Sequence, residues 1–469
     1  MPKVVIIGGG PGGYEAALVA QQLGAEVTVV DRDGIGGSAV LTDCVPSKTL
    51  IATAEVMTDM AQAAELGISF ADSEGDAATQ LSVDLAKVNA RVKSLATAQS
   101  ADIEGRLTRR DIRIVKGLGR LGKRAGVGGG EVIATKPDGS EEVLHADSVL
   151  IATGARPRVL ASAQPDGERI LTWEQVYDLD ERPEHMIVVG SGVTGAEFAS
   201  AYLALGSQVT LVSSRDRVLP GEDADAAEVL QDVLERRGMN ILGNSRMASV
   251  TRDGGVVTVT LADGRTVTGS HCILALGSIP NTEGLGLEEA GAQLDESGFI
   301  KIDKVSRTSA PGVYAAGDCT GGFMLASVAA MAGRVAMRHF LGDAVQPVDL
   351  KEISSNVFTS PEIATVGWSE AALAEGEIEA DVVKLDLSGN ARAKMQGITD
   401  GFVKVIARRG SGVVIGGVVV GPRASELIHP ISLAVKANLT VDQLANTFTV
   451  YPSLSGSTAE AARRLHRVD

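Results

Sequence analysis

The sequence predicts an α/β protein built around two similar dinucleotide-binding units. Two G-x-G-x-x-G loops, at residues 8–13 and 190–195, each follow a short apolar strand and precede a helix. At 469 residues the chain is too long for one core, so we expect several domains. A composition of 44% hydrophobic residues with 55 glycines is typical of a globular protein rich in tight turns.

Charge and cysteine content narrow the class of protein. Lys and Arg total 43 and Asp and Glu total 59, so the net charge is −16, and an acidic surface argues against nucleic acid as a partner. Cys44, Cys272 and Cys319 are too few and too scattered for a secreted disulfide framework or a metal site. The first residues lack the apolar core of a signal peptide, and no apolar run reaches the roughly 20 residues that span a bilayer. We therefore expect a soluble, cytoplasmic protein.

The first unit has every part of a dinucleotide site. An apolar strand at 3–7 runs into Gly8-Gly9-Gly10-Pro11-Gly12-Gly13, a helix follows at 14–23, and a second strand at 26–30 ends at Asp31. Glycines allow the backbone to approach a pyrophosphate, the helix N-terminus supplies N–H donors, and Asp31 can accept hydrogen bonds from a ribose. A glycine-rich turn that binds nothing is the alternative interpretation, and the full strand, helix and acid context argues against it.

The second unit repeats this pattern but lacks the acid. A strand at 186–189 precedes Gly190-Ser191-Gly192-Val193-Thr194-Gly195, a helix follows at 196–205, and the next strand, 208–212, ends in Ser213-Ser214-Arg215. Without a carboxylate there, a 2′-phosphate is not repelled, and Arg215 can pair with it. We expect NADPH to be accepted, along with NADH, although an exposed arginine can also be merely solvated.

The stretches between these units have simpler interpretations. Helical spacing predicts helices at 47–66 and 81–109, and apolar runs predict strands at 112–116 and 148–152. The glycine-rich stretch 124–131 is interpreted as a hairpin connection rather than a site.

Residues 36–48, G-G-S-A-V-L-T-D-C-V-P-S-K, resemble the redox-active segment of the flavoprotein disulfide reductases, the class I pyridine nucleotide-disulfide oxidoreductases. The pattern of that family is G-G-T-C-x-N-x-G-C-x-P-S-K. Further family motifs are matched in order by A-T-G-A-R-P at 152–157, G-S-I-P-N at 277–281, T-S-A-P-G-V-Y-A-A-G-D at 308–318, and three segments at 358–367, 390–393 and 421–428. The resemblance therefore covers nearly the whole chain.

The resemblance implies two Rossmann-like dinucleotide-binding domains, one for FAD and one for NAD(P), plus an α+β C-terminal dimerisation domain. The expected boundaries are 1–155 and 283–345 for the FAD-binding domain, 156–282 for the NAD(P)-binding domain and 346–469 for the dimerisation domain. A homodimer is implied, in which the C-terminal segment of each subunit reaches the flavin of its partner.

The same resemblance assigns the site residues. The expected FAD contacts are Gly8, Gly10, Pro11, Gly12, Gly13, Asp31, Arg32, Gly36, Gly37, Ser38, Cys44, Lys48, Gly117, Leu118, Ala152, Thr153, Gly154, Asp318, Leu325, Ala326 and Ser327. The expected NAD(P) contacts are Gly190, Ser191, Gly192, Val193, Thr194, Gly195, Glu197, Ser213, Ser214, Arg215 and Gly277. In the family, Glu197 lies near the nicotinamide and pairs with Lys48; alternatively, Glu197 stabilises a helix dipole and Lys48 is solvated.

Two family features are replaced in this chain. Ala39 stands where the family has the cysteine that attacks a disulfide substrate, and a methyl group is no nucleophile. The C-terminal H-P-T-L-S-E segment, which supplies a base to the partner's site, becomes Y-P-S-L-S-G, so that Tyr451 replaces the histidine and Gly456 the glutamate. A tyrosine with a pKa of about 10 is a poor base at neutral pH. His429, in the only His-Pro pair of the chain, lies well before this segment and is interpreted as structural.

These losses direct the functional prediction. Because the flavin signatures and both nucleotide loops are retained, the chain resembles the lipoamide-dehydrogenase-like quinone reductases that lack the redox dithiol. We expect an FAD-dependent NAD(P)H:quinone oxidoreductase in which hydride passes from NAD(P)H to FAD and then directly to a quinone, with ping-pong kinetics and without disulfide reductase activity.

Three alternatives stay open on the sequence. Soluble pyridine nucleotide transhydrogenases also dispense with the dithiol. A peroxide or oxygen reductase would cycle Cys44 through a sulfenic acid, although Cys44 is equally well explained as a small residue retained by packing. A non-catalytic nucleotide-binding dimer would bind FAD that NAD(P)H does not bleach.

Overall fold

The computed structural model describes residues 1–68, 81–125 and 129–466. The chain divides into two compact units, each assembled from three separate stretches. The first compact unit, which contains the 8–13 glycine loop, comprises Met1–Thr49, Ala90–Arg158 and Gly277–Asp349. The second compact unit, which contains the 190–195 loop, comprises Leu50–Asn89, Val159–Leu276 and Leu350–Asp469.

The helices are distributed along the whole chain. In chain order they are α1 (Pro11–Gln22), α2 (Gly37–Leu41), α3 (Cys44–Gln62), α4 (Leu85–Thr108), α5 (Val193–Ala204), α6 (Ala224–Arg236), α7 (Ala326–Phe340), α8 (Glu370–Ala374), α9 (Ala391–Met395), α10 (Ala424–Leu427), α11 (His429–Ala437), α12 (Val441–Ala445) and α13 (Gly456–Leu465).

The strands alternate with these helices in the nucleotide-binding regions and cluster in the C-terminal region. They are β1 (Lys3–Ile7), β2 (Glu26–Asp31), β3 (Arg113–Lys116), β4 (Leu118–Ala125), β5 (Gly129–Thr135), β6 (Glu141–Ala146), β7 (Ser148–Ile151), β8 (Ala155–Pro157), β9 (Ile170–Thr172), β10 (His185–Val189), β11 (Gln208–Val212), β12 (Asn240–Leu242), β13 (Met247–Asp253), β14 (Val256–Leu261), β15 (Thr266–Gly269), β16 (His271–Leu274), β17 (Ser278–Pro280), β18 (Val313–Ala315), β19 (Ser354–Val357), β20 (Glu362–Gly367), β21 (Ala380–Asp386), β22 (Phe402–Arg408) and β23 (Val414–Gly421).

A five-stranded parallel sheet with the order β18-β7-β1-β2-β3 forms the centre of the first unit. In register, Val4 pairs with Val27 on one side and with Ser148 on the other. β1, β7 and β18 are almost continuous buried runs because both faces of the sheet are covered there. Side chains of α1, α4 and α7 pack on one face, and the antiparallel meander β4-β5-β6 packs on the other.

The second unit contains two sheets. A parallel sheet with the order β12-β11-β10-β16-β9 and the meander β13-β14-β15 share one hydrophobic core. The antiparallel sheet β19-β20-β23-β22-β21 has a separate core, to which α11, α12 and α13 contribute. The fold class predicted from the sequence, two Rossmann-like units and an α+β C-terminal region, is confirmed.

Element boundaries differ from the sequence predictions by a few residues. The helix expected from residue 47 begins at Cys44, and the helix expected from 81 begins at Leu85. β4 and β5 pair antiparallel, as the hairpin interpretation of 124–131 requires, but residues 126–128 themselves lie outside the described part. Within the described ranges, none of the helices is both long and apolar enough to cross a bilayer.

Candidate active site

The first glycine loop has a shape that only glycine can adopt. Gly8 follows β1 with a φ of +108°, and a Cβ added there would lie 2.1 Å from the carbonyl oxygen of Ala152. A Cβ on Gly13 would lie 1.9 Å from the oxygen of Gly8. The N-cap of α1, Gly10, offers no side-chain cap. Pro11 has no N–H and the Gly13 amide donates to the Gly10 carbonyl at 2.8 Å, which leaves the Gly12 amide of the first turn for a ligand. This loop therefore fits a pyrophosphate at a helix N-terminus.

Asp31 closes the loop at the end of β2. Its Oδ2 accepts a hydrogen bond from the Gly9 amide at 2.7 Å, and its Oδ1 accepts bonds from Asp33 and Gly34 at 3.0 and 2.6 Å. Burial raises the pKa of Asp31, and these N–H donors oppose that rise. A carboxylate has about four acceptor positions, so one remains for a ribose hydroxyl. The neighbouring Arg32 is exposed and forms an ion pair with Asp33 at 2.7 Å.

The redox-segment residues fold back onto the glycine loop. The Gly36 amide donates to the Gly9 carbonyl at 2.8 Å, and a Cβ on Gly37 would lie 2.8 Å from Cα of Gly10. The Asp43 amide donates to the Ser38 carbonyl at 2.8 Å, and α3 then begins at Cys44. The Cys44 thiol is half-buried and forms no disulfide, and Lys48 lies one turn further along α3.

Five further expected FAD positions lie at strand ends of the first unit. Gly117 donates its amide hydrogen to the Asp31 carbonyl at 2.8 Å, whereas the next side chain, Leu118, is exposed. Thr153, between Ala152 and Gly154 after β7, donates through Oγ1 to the Asn281 carbonyl at 2.7 Å. The expected NAD(P) residue Gly277 also lies in this first unit, where its carbonyl accepts from the Arg158 amide at 2.9 Å.

Asp318 follows β18 at the carboxyl edge of the parallel sheet. Burial, and then the negative charge of Asp43, raise the pKa of Asp318 to about 6. A few residues on, α7 begins at Ala326; its N-cap, Leu325, provides no side-chain cap, so amides of its first turn, including that of Ser327, remain open. A half-buried acid and an open helix N-terminus thus flank the same edge, where ligands bind in open α/β sheets.

The second glycine loop has the same steric restrictions as the first at its first and last glycines. Gly190 has a φ of +114°, and its Cβ would lie 2.1 Å from the carbonyl oxygen of Ala275. A Cβ on Gly195 would lie 1.9 Å from the oxygen of Gly190. α5 begins at Val193 after the uncapped Gly192, and the side chains of Val193 and Thr194 are not buried. The second unit therefore fits a second dinucleotide pyrophosphate.

Two buried hydroxyls shape the loop after β11. Ser191 Oγ and Ser213 Oγ lie 2.7 Å apart, and Ser213 Oγ also accepts from the Arg215 amide at 3.1 Å. Ser191 Oγ lies 3.4 Å from the Arg217 carbonyl, which places residue 217 beside the glycine loop. Ser214 and Arg215 are exposed.

Arg217 is a functional candidate that the sequence prediction missed. Its Nε is buried with no hydrogen-bond partner, and within the described ranges neither Arg215 nor Arg217 forms an ion pair with an acid. Two arginines without an acidic partner among the described residues therefore follow β11, and the main chain of Arg217 lies beside the loop. The spacing of a second arginine two residues after Arg215 is the signal that could have found it.

Glu197 lies in the first turns of α5 and is buried. Its Oε1 accepts a hydrogen bond from the Phe358 amide at 2.9 Å, and the Ser360 amide approaches Ser200 Oγ at 3.3 Å on the same helix. These contacts lie within the second unit and join its nucleotide-binding helix to the strand β19 region. The position of the Glu197 carboxylate is therefore fixed by the main chain.

The C-terminal segment is exposed at the positions expected to contact a partner. Phe448, Val450 and Tyr451 are all exposed, with 86% of Tyr451 accessible. The segment that follows is anchored, because Asn390 Nδ2 donates to the Ser453 carbonyl at 3.0 Å. His429 begins α11, the second helix after the turn at 422–423, and its structural role stays a prediction.

Comparison with known proteins agrees with this geometry. Residues 2–333 match the pyridine nucleotide-disulphide oxidoreductase family, and residues 353–462 match the dimerisation domain of the same family. The chain belongs to the pyridine nucleotide-disulphide oxidoreductase family. FAD and NAD(P)H are the cofactors of this family.

Relatives of known name match this chain over almost its whole length. An NAD(P)H dehydrogenase (quinone) of Mycobacterium tuberculosis is 55% identical over 469 residues, covering 99% of this chain and 94% of that protein. A dihydrolipoyl dehydrogenase of Chlorobaculum tepidum is 34% identical over 463 residues, 98% and 96% of the two chains. The crystal structure of LpdA from Mycobacterium tuberculosis has a TM-score of 0.94 at 54% identity, with 100% of both chains covered.

Within this family the position of each cysteine is informative. Cys272 and Cys319 are buried in separate cores, and burial raises the pKa of both thiols, that of Cys319 to about 11. Among the three cysteines, only Cys44 is part of the redox segment, and position 39 of that segment is alanine. The segment therefore contains one sulfur, not the two that a redox disulfide needs.

Proposed function

We propose that this protein is an FAD-dependent NAD(P)H:quinone oxidoreductase without disulfide reductase activity. The observation that carries the proposal is an intact pair of dinucleotide cradles combined with a redox segment that has Ala39 in place of one cysteine. The overall reaction is NAD(P)H + H⁺ + quinone giving NAD(P)⁺ + hydroquinone. The 55% identical relative named NAD(P)H dehydrogenase (quinone) supports this assignment.

FAD, when bound, supplies a redox group that accepts a hydride and delivers two electrons to a second substrate. The residues proposed to hold it are the Gly8–Gly13 loop, Asp31, the 36–38 turn, and the edge formed by Asp318 and the start of α7. Lys48 places a positive charge one turn beyond Cys44. That charge would stabilise negative charge developing nearby during reduction.

The nicotinamide nucleotide is proposed to bind the Gly190–Gly195 loop. Arg215 and Arg217 would pair with a 2′-phosphate, so we propose that NADPH is accepted alongside NADH. Glu197, held by the Phe358 amide, is proposed to lie near the nicotinamide and to orient it. Because this carboxylate is fixed by the main chain, it would need little reorganisation when the nucleotide binds.

We propose a homodimer in which the exposed segment of Phe448, Val450 and Tyr451 packs against the partner subunit near its flavin. Large apolar side chains that are exposed together are typical of interaction surfaces. Tyr451 would fill space or donate a hydrogen bond there rather than act as a base, because a phenol with a pKa of about 10 is a poor base at neutral pH. We also propose the four-segment domain division with boundaries at residues 155, 282 and 345, and a reducing cytoplasmic environment, in which the three cysteines form no disulfide.

Anaerobic mixing of the FAD-loaded enzyme with NADPH or NADH tests this function. We expect flavin absorbance to be lost on mixing and to return when 2-methyl-1,4-naphthoquinone is added. Double-reciprocal plots against quinone concentration should be parallel. A flavin that the nucleotides bleach but that only NAD⁺ analogues reoxidise would indicate a transhydrogenase instead, and a flavin that neither nucleotide bleaches would refute the proposal.

A further inference from the structure

Two exposed apolar side chains lie on a short turn at the carboxyl edge of the first unit's parallel sheet. The turn runs from Asp318 through Gly321 and Gly322, whose φ angles are +73° and +70°. Phe323 and Met324 follow and are 47% and 38% exposed. α7 then begins at Ala326. The turn therefore joins two of the positions proposed to contact FAD, and its exposed residues lie between them in the chain.

The turn is held in place rather than loosely attached. A Cβ on Gly321 would lie 3.2 Å from Cγ of Phe299, so the backbone rests directly on that ring. The Leu325 amide donates to the Phe323 carbonyl at 3.0 Å, which closes the turn immediately before the helix. Both features fix the backbone that carries the Phe323 ring. Because the backbone of this turn is already ordered, less conformational entropy is lost when a ligand binds there.

Scattered exposed apolar residues need no special explanation in a soluble protein. Met331, on the outer side of α7, is such a residue, with the same 47% exposure as Phe323. Phe323 differs because of its place in the fold. It lies at the edge where open α/β sheets bind ligands, beside the uncapped N-terminus of α7, and next to a second apolar side chain, Met324.

We propose that Phe323 is the residue on which the quinone stacks, with Met324 alongside it, and that this pair determines the preference among acceptors. The proposal rests on the proposed quinone reductase function. A quinone is flat and uncharged, and it offers an aromatic or conjugated face that a phenyl ring can stack against, while a thioether packs favourably at a ring edge. Two-ring naphthoquinones cover more of the phenyl ring than one-ring benzoquinones, so they should bind more tightly.

Direct binding to the oxidised, FAD-loaded enzyme tests this without turnover. In the absence of NAD(P)H, 2-methyl-1,4-naphthoquinone is titrated into the enzyme and the dissociation constant is measured by equilibrium dialysis. Phe323→Ala should weaken binding by about 5- to 10-fold, the loss expected for one stacking partner. Phe323→Tyr should bind as the original protein does, Phe323→Leu should be intermediate, and Met331→Ala should change nothing.

Steady-state kinetics provide the second readout. Phe323→Ala should raise KM for the naphthoquinone by the same factor as the dissociation constant, with kcat and KM for NADPH unchanged. Ferricyanide, a small charged acceptor that does not stack, should be reduced by all variants at the original rate.

Each outcome separates the two proposals. If the original protein reduces no quinone, the proposed function fails. If it reduces quinones and Phe323→Ala binds the naphthoquinone as tightly as before, only the stacking role is wrong. Release of FAD by both Phe323→Ala and Phe323→Leu would overturn the proposal by making Phe323 a cofactor contact. Dissociation of a dimer by these variants, with quinone affinity retained, would overturn it by making Phe323 a subunit contact.

Discussion

Lys404 offers the sharpest test of how the second unit is held together. Its side chain is 1% exposed, and its Nζ lies 2.8 Å from a carboxylate oxygen of Asp223 and 2.8 Å from one of Asp225, with Glu370 as a third partner. Burial alone would lower the pKa of Lys404, but the hydrogen bonds that its ammonium donates to these three carboxylates raise it. The acidic cluster Asp223, Asp225 and Glu370 therefore already surrounds a cation, that of Lys404 itself.

Lys404→Met should destabilise the protein because it leaves buried negative charge without a partner. Asp223 is 4% exposed and cannot turn into solvent, whereas Asp225 and Glu370 are partly exposed and can. Breaking a buried pair costs about 3–5 kcal/mol, and because Asp223 alone of the three acids has a side chain with so little exposed surface, we expect the lower end, about 3 kcal/mol. Lys384→Met, which removes a partly exposed ion pair with Asp225, should cost under about 1 kcal/mol.

A double variant isolates the charge effect. Asp223 is also the N-cap of α6, where it accepts from the Ala226 amide at 3.2 Å, and asparagine caps helices equally well. Lys404→Met with Asp223→Asn should therefore recover most of the lost stability.

The stabilisation from the Lys404–Asp225 pair depends on pH. The hydrogen bond from Lys404 lowers the pKa of Asp225, so this stabilisation is present above the unfolded pKa of about 4 and is lost as pH falls through the folded pKa.

Urea unfolding followed by tryptophan fluorescence measures these effects, since Trp173 and Trp368, the two tryptophans of the chain, both belong to the second unit. The gap between the original protein and Lys404→Met should be widest near pH 7 and should narrow below about pH 4. Coincident curves at pH 7, or a double variant no more stable than Lys404→Met, would refute this reasoning.

Three other predictions concern the nucleotide sites. Arg217→Ala should raise KM for NADPH by about 10-fold or more, because one hydrogen bond to a charged group is lost, and should leave KM for NADH unchanged. An equal effect on both nucleotides would exclude a 2′-phosphate contact. Cys44→Ala should keep quinone reduction within about 3-fold of the original rate, because no step needs the thiol; loss of turnover would favour the peroxide reductase alternative. Burial raises the pKa of Asp318 to about 6, so the FAD-free folded protein binds a proton that the unfolded chain releases nearer pH 4. The stability of the FAD-free protein should therefore fall as pH rises from about 4 to about 6. Asp318→Asn should abolish that fall, measured by thermal melts at pH 4.5 and 7.5, and should weaken FAD retention.

The nucleotide cradles could be predicted from the sequence because their geometry is local. Gly8 and Gly13 are five residues apart, and the atoms that exclude a Cβ at these positions are mainly backbone atoms close by. The spacing of the glycines alone therefore indicates the conformation of the loop. Asp31 was predictable for the same reason: it ends the strand that pairs in register with β1.

Contacts between distant parts of the chain could not be predicted in this way. The Lys404 cluster joins residues 181 positions apart, and the Glu197 carboxylate is held by an amide 161 positions away. Arg217 was missed because its placement depends on the Ser191–Ser213 hydroxyl pair, which forms only when two separate turns fold together. Gly277, an expected NAD(P) contact, lies in the first unit next to the paired strands β17 and β8, and its contact with the nucleotide stays a prediction.

The most direct test of the central claim compares two acceptors in one enzyme preparation. With NADPH as donor, the FAD-loaded protein and its Cys44→Ala variant should both reduce 2-methyl-1,4-naphthoquinone, and neither should reduce lipoamide or glutathione disulfide at a comparable rate. Rapid turnover of either disulfide by the original protein, abolished in Cys44→Ala, would contradict the conclusion that electrons leave this enzyme without a sulfur relay.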